Sequence, residues 1–143
     1  MPTMFVNLPV TDLERAKAFY EAVGFSINPL FTDHNAACVV VEPDHSYFMI
    51  EVREFFQTMT ELPIGDPAKN PTSGTAIFLD SREAVDAAVA AGVGAGGHEL
   101  ATSDYGFMYQ RGLTDPDGNI IDFGWMDPVA AEQGPAAYAD QQA

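Results

Sequence analysis

With 143 residues, 47% of them hydrophobic, the chain is long enough for one domain or for two small modules sharing a core. Its 21 acidic residues against six basic ones leave a formal charge of −15 and no basic patch, which argues against nucleic acid and anionic membrane as partners. The single cysteine, Cys38, forms no internal disulfide, no secretory signal opens the chain, and no apolar run approaches the ~18 residues of a bilayer span, so a cytoplasmic location is expected.

In chain order, Met4 to Val10 alternates in the manner of a half-buried strand. Thr11-Asp12-Leu13-Glu14 reads as a capping box with Thr11 as the cap, and apolar residues at Leu13, Ala16, Phe19, Tyr20 and Val23 predict an amphipathic helix stopped by Gly24. Strands are expected over Phe25 to Phe31, Ala36 to Val41 and Ser46 to Val52, with turns at Thr32-Asp33-His34-Asn35 and Pro43-Asp44. Residues 53–73 carry three prolines and read as a connector that covers one end of a cleft.

The same order then recurs. Thr75 to Leu79 is a strand, Asp80 the expected cap, Ala84 to Ala91 a helix stopped by Gly92, and His98 to Ala101 a weak strand. Phe107 to Thr114 and Asn119 to Trp125 are the last two strands, joined by Asp115-Pro116-Asp117-Gly118, whose proline and glycine suit a tight turn. If Thr114 pairs with Asn119, then Arg111 lies opposite Asp122 on one face, while Ile121, Phe123 and Trp125 point to the helix side. Residues 128–143 are rich in Ala, Gln, Gly and Pro and read as a flexible tail.

Three blocks carry a resemblance: Val10-Thr11-Asp12-Leu13-Glu14-Arg15-Ala16-Lys17-Ala18-Phe19-Tyr20, then Gly24-Phe25, then Asp115-Pro116-Asp117-Gly118-Asn119 with Asp122 behind it. Over roughly residues 4 to 126 the sequence resembles the vicinal oxygen chelate superfamily, the glyoxalase/bleomycin resistance protein/dioxygenase group. The resemblance implies an α+β fold in which two βαβββ modules, here 4–52 and 74–126, form a curved mixed sheet around a cleft in a homodimer. It also implies metal-ligand positions on the first and last strand of each module, which fall on Phe5, Glu51, Gly74 and Asp122. Phe5 and Gly74 have no donor, and Met49 shares the face of Glu51 two residues earlier.

A transition-metal site without histidine is unusual, and His34 and His45 fall in turns with His98 on a glycine-rich edge. Glu51 and Asp122 are thus vestigial metal candidates, with a divalent metal left open. Arg111 is either an ordinary cross-strand ion pair with Asp122 or an anchor for a ligand carboxylate or phosphate. Phe5, Tyr47, Phe78, Tyr109 and Met108 suit the wall of a cleft, Asn7 shares a face with Phe5, and Cys38 is expected near Met49 as a buried apolar residue. The expectation is a dimeric protein that binds a small organic ligand through Phe5, Asn7, Tyr47, Glu51, Tyr109, Arg111 and Asp122. The alternative is a metal-dependent lactoylglutathione-lyase-like isomerase or ring-cleaving dioxygenase.

Overall fold

The computed structural model describes residues 1–143 and contains two four-stranded mixed sheets. In the first module, β1 (Met4–Val10) leads into α1 (Leu13–Ala22), then β2 (Ser26–Asn28), β3 (Ala36–Glu42) and β4 (Ser46–Val52). A short helix α2 (Arg53–Phe56) opens the connector. The second module repeats the order with β5 (Gly74–Phe78), α3 (Arg82–Gly94), β6 (His98–Asp104), β7 (Met108–Thr114) and β8 (Ile120–Met126). Strand order is β1-β4-β3-β2 in one sheet and β5-β8-β7-β6 in the other, with the first strand parallel to the last in each. The fold is therefore α+β, built of two βαβββ modules as expected.

The helices bind the modules together. Leu13, Ala16, Phe19 and Tyr20 of α1 recur at helical spacing and are buried, as are Val85, Ala88 and Val89 of α3. These side chains, with Val39, Phe48 and Ile50 of the first sheet and Leu113, Ile121 and Phe123 of the second, form one continuous core. Full burial of each large apolar side chain contributes roughly 1.5–3 kcal/mol, so neither module is spared its partner cheaply.

The caps differ from the sequence reading. Asp12, not Thr11, caps α1 by accepting from the Arg15 amide at 3.1 Å, and Ser81, not Asp80, caps α3 through the Ala84 amide at 3.0 Å. Thr11 is engaged across the module boundary, donating its amide and hydroxyl to Asp117 Oδ1 at 3.0 and 2.6 Å. Gly24 ends α1 at φ +114° as expected. Gly92, by contrast, lies inside α3, where a Cβ would stand 2.6 Å from Leu113 Cδ2 and 3.1 Å from Val23 Cγ1. Its small size, not backbone freedom, lets the modules close, and Gly96 at φ +100° follows the helix instead.

Two further segments depart from expectation. The strand anticipated to Phe31 ends at Asn28, because Pro29 opens a turn of 3₁₀ helix over Pro29–Phe31. The segment read as a flexible tail forms two short helices, α4 (Pro128–Gln133) and α5 (Pro135–Gln142), with Tyr138 of α5 meeting Phe107 at 6.1 Å between ring centroids.

Candidate functional site

Side chains alternate along β1, β3 and β4, so the residues not spent on the core line the other face of the first sheet. The pairings Phe5 with Tyr47, Asn7 with Met49, Cys38 with Met49 and Ala36 with Glu51 place all of these on that inner face. Cys38 thus lies beside Met49, as the sequence suggested. Phe5 and Tyr47 stack at 4.6 Å with 13° between their planes, and the Tyr47 hydroxyl accepts from the Asp44 amide at 2.8 Å, which fixes the ring at its far end.

Over this floor opens a hollow of about 550 Å³, walled by Leu30, Phe31, Phe55 and Met49, with Asn28, Thr32 and Asp33 at its rim. The volume falls in the range of small-molecule sites. Phe5 is 50% exposed and Phe31 68%, a large apolar surface left to solvent. The rim is held by its own bonds: Thr32 Oγ1 donates to the Asn28 carbonyl at 2.7 Å and accepts from the Cys38 amide at 3.1 Å. Asp33 Oδ1 accepts from the Asn35 and Ala36 amides at 2.8 and 3.1 Å, which hold the carboxyl below its ordinary range.

Glu51 sits on the same face but is only 2% exposed, and its Oε1 has no hydrogen-bond partner. Burial alone pushes its carboxyl up from the usual glutamate range. Where β1 and β5 approach, a smaller hollow of about 220 Å³ is lined by Asn7, Pro9, Gly74 and Ile120, with Phe56 and Ile64 of the connector over it. The connector is tied down by Arg53, which donates to the Gly65 carbonyl at 2.9 Å, and by Gln57, which donates to the Leu62 carbonyl at 2.7 Å.

The second module departs from the expected site. Arg111 pairs with Phe123 and Thr114 with Ile120, one residue off the register that would have set Arg111 against Asp122. The turn is responsible. Asp115 Oδ1 takes the Asn119 amide at 2.9 Å, so Asn119 is drawn into a five-residue loop and cannot pair with Thr114. A slip of one residue reverses the face of a side chain. Arg111 therefore lies on the helix side, bound to Asp86 at 2.8 Å and Glu99 at 2.6 Å, and Tyr109 donates to the same Asp86 carboxylate at 2.6 Å. Arg82 covers the Tyr109 ring at 4.9 Å and, paired with Asp104, draws that carboxyl down to about 2.

Asp122 does point to the opposite face, where its partner is Gln110 Nε2 at 3.2 Å. It lines a separate hollow of about 360 Å³ with Leu100, Met108 and Gly112, which shares no residue with the hollow on the first sheet. The candidate residues thus divide into Phe5, Asn7, Tyr47 and Glu51 on one inner face, Asp122 on the other, and Tyr109 with Arg111 on neither.

Residues 3–42 match the family model described as bleomycin resistance protein-like N-terminal. Many solved structures share the fold, these three among them. A glyoxalase-related enzyme from Fulvimarina pelagi superposes with TM-score 0.74 at 19% identity, covering 90% of either chain. A glyoxalase/bleomycin resistance protein/dioxygenase family enzyme from Burkholderia phytofirmans gives 0.69 at 22% identity, over 85% of this chain and 96% of that one. An antibiotic binding protein from a Streptomyces species gives 0.64 at 25% identity, over 89% and 97%. These likenesses show the fold of the glyoxalase/bleomycin resistance protein/dioxygenase group, and the family-model match is confined to residues 3–42. Comparison with curated proteins returns no match.

The four positions at which the resemblance implies metal ligands are poorly furnished. Phe5 offers only carbon and Gly74 no side chain where ligands are implied, and Asp122 is hydrogen-bonded to Gln110. The three histidines are exposed on the surface, and no three His, Cys, Asp or Glu side chains gather closely enough to hold an ion. The donor set does not fit a divalent transition metal, which wants three or four converging N, O or S atoms. No helix is long and apolar enough to cross a membrane.

What the sequence missed in the site are Leu30, Phe31 and Phe55, which wall the hollow from segments read as strand and connector. The Pro29-Leu30-Phe31 order was the available signal, since proline followed by two large apolar residues marks a turn that cannot bury them in a sheet.

Proposed function

We propose that this protein binds a small organic ligand in the hollow on the inner face of its first sheet, as a homodimer in the cytoplasm and without the superfamily's full metal site. The observation that carries this reading is the stacked Phe5–Tyr47 floor, half open to solvent beneath walls of Leu30, Phe31 and Phe55. Aromatic floors of this kind provide contact area and orientation without chemistry of their own. The likeness to an antibiotic binding protein supports a binding role, and the lack of a donor side chain at Phe5 and Gly74 favours it over the lyase or dioxygenase alternative.

The test is thermal melting of the purified protein in two series. Aromatic small molecules are expected to raise the melting temperature with concentration in the wild type and to lose that effect in Phe5→Ala, because a ligand bound only to the native state stabilises it by mass action. Zn, Ni, Mn and Fe(II) are expected to leave it unmoved. A metal-dependent rise that disappears in Asp122→Ala would instead support the isomerase or dioxygenase reading. Sedimentation velocity reads the dimer.

A further inference from the structure

The hollow on the first sheet is selective in charge as well as in shape. No Lys or Arg lines it, and Asp33 is the one formally charged residue that does. Four of the chain's six cations are already engaged by carboxylates elsewhere: Arg15 by Asp117, Lys17 by Glu14, Arg82 by Asp104, and Arg111 by Asp86 and Glu99. Arg53 is turned to the Gly65 and Ile64 carbonyls. An anionic ligand would therefore meet aromatic rings, a carboxylate and the field of a chain with net charge −15. Asp33, exposed at the rim, has Oδ1 occupied by the Asn35 and Ala36 amides and leaves Oδ2 open to a ligand or to water. A ring face that a ligand reaches attracts a cation and repels an anion.

We propose that the ligand is a planar aromatic cation, its ring packed against the Phe5–Tyr47 pair and its charge set beside Asp33. This rests on the hollow being the binding site and goes further by naming the ligand class. Arg111, which the sequence offered as an anchor for an acidic ligand, is absent from the hollow, so the sign of the recognised charge reverses.

The experiment compares three probes of equal ring size by fluorescence titration at low ionic strength: 9-aminoacridine as the cation, 9-anthracenemethanol as the neutral ring, and 9-anthracenecarboxylate as the anion. The cation is expected to bind with unit stoichiometry and about tenfold more tightly than the neutral ring, the sum of a modest cation–π and a modest ion-pair effect. In Asp33→Asn, which keeps the Oδ1 acceptor of the rim, the cation's affinity is expected to fall about three- to fivefold while the neutral probe is unmoved. Asp140→Asn, on α5 and outside the hollow, is expected to change neither, which separates local recognition from the general pull of an acidic chain. Equal binding of cation and neutral ring, or an Asp33→Asn variant as tight as the wild type, would overturn the ligand class and leave the hollow as a site for neutral rings. Binding of every probe unchanged in Phe5→Ala, or of none in the wild type, would overturn both readings.

Discussion

Asp115 and Glu51 are both shielded from water, yet the first is surrounded by donors and the second leaves an oxygen with none. Asp115, fully buried in the turn between β7 and β8, accepts from Tyr20 Oη at 2.8 Å and from Asn119 Nδ2, the Asn119 amide and the Asp117 amide, each at 2.9 Å. Asp117 of the same turn holds Thr11 and Arg15, and Asn119 Nδ2 also reaches the Pro9 carbonyl at 3.1 Å. The second module's turn is thereby fastened to the entry and inner face of α1. Every donor there comes from the chain itself, which is the mark of a structural device. Glu51 has been given burial without a partner, and a group left so is either a source of instability or a place kept for something the chain does not supply.

Removing the satisfied carboxyl should do the greater harm. Asp115→Ala strands a tyrosine hydroxyl, two backbone amides and a side-chain amide in the interior, at roughly 1–3 kcal/mol for each that water cannot reach. With partial rescue by water, the expected loss is about 3–4 kcal/mol, read from urea unfolding followed by circular dichroism. A loss below about 1 kcal/mol would show that the turn is not the fastening between modules.

Glu51→Met should act in the opposite direction, since it replaces an unpaired buried carboxyl with an apolar side chain of similar reach. The expected gain is about 1–2 kcal/mol at neutral pH. The pH dependence follows from burial, which raises the folded-state pKa of Glu51 above its unfolded value. The wild type is then spared the cost of a buried charge in acid and loses stability as pH rises from the ordinary glutamate range through the higher folded value. The variant lacks that slope, so its advantage should shrink as pH falls. Asp115, also raised by burial, contributes the same slope to both proteins and cancels from the difference. A variant less stable than the wild type at neutral pH would mean that Glu51 is satisfied within the chain after all.

The contrast between the two carboxyls also marks how far the sequence could be read. The repeated strand–helix–three-strand order was legible because it rests on local chemistry: helix-spaced apolar residues in both halves, Gly24 after α1 and a turn at Asp115 to Gly118. The inner face of the first sheet was legible as well, since period-two alternation places Phe5, Asn7, Tyr47 and Glu51 together. What was hidden depended on one side chain competing with the backbone. Asp115 captures the Asn119 amide, the hairpin lengthens by a residue, and Arg111 moves to the other face. Thr11 was misread for a related reason: its hydroxyl fits a capping box until Asp117, 106 residues away, is near enough to accept from it. No local pattern reports a contact of that separation.

Arg111 gives the smallest and most discriminating prediction. Its guanidinium is 20% exposed and bridges Asp86 of α3 to Glu99 of β6, two carboxylates that are themselves half open to solvent. Ion pairs of that exposure are worth little, because water screens the attraction and ordering the long side chain offsets much of the remainder. Arg111→Ala should therefore cost about 0.5 kcal/mol, an effect that fades further in high salt. The same variant should bind 9-aminoacridine as tightly as the wild type, because Arg111 lies on the helix side of its sheet and shares no hollow with Phe5. Had the register been the one in which Arg111 faces Asp122, this substitution would have removed the chief anchor of an acidic ligand and left an uncompensated carboxylate behind. Measuring unfolding and probe binding on this one variant thus tests the register of β7 on β8 by its consequences: a small, salt-sensitive loss of stability with unchanged binding supports the longer turn, and any loss of binding counts against it.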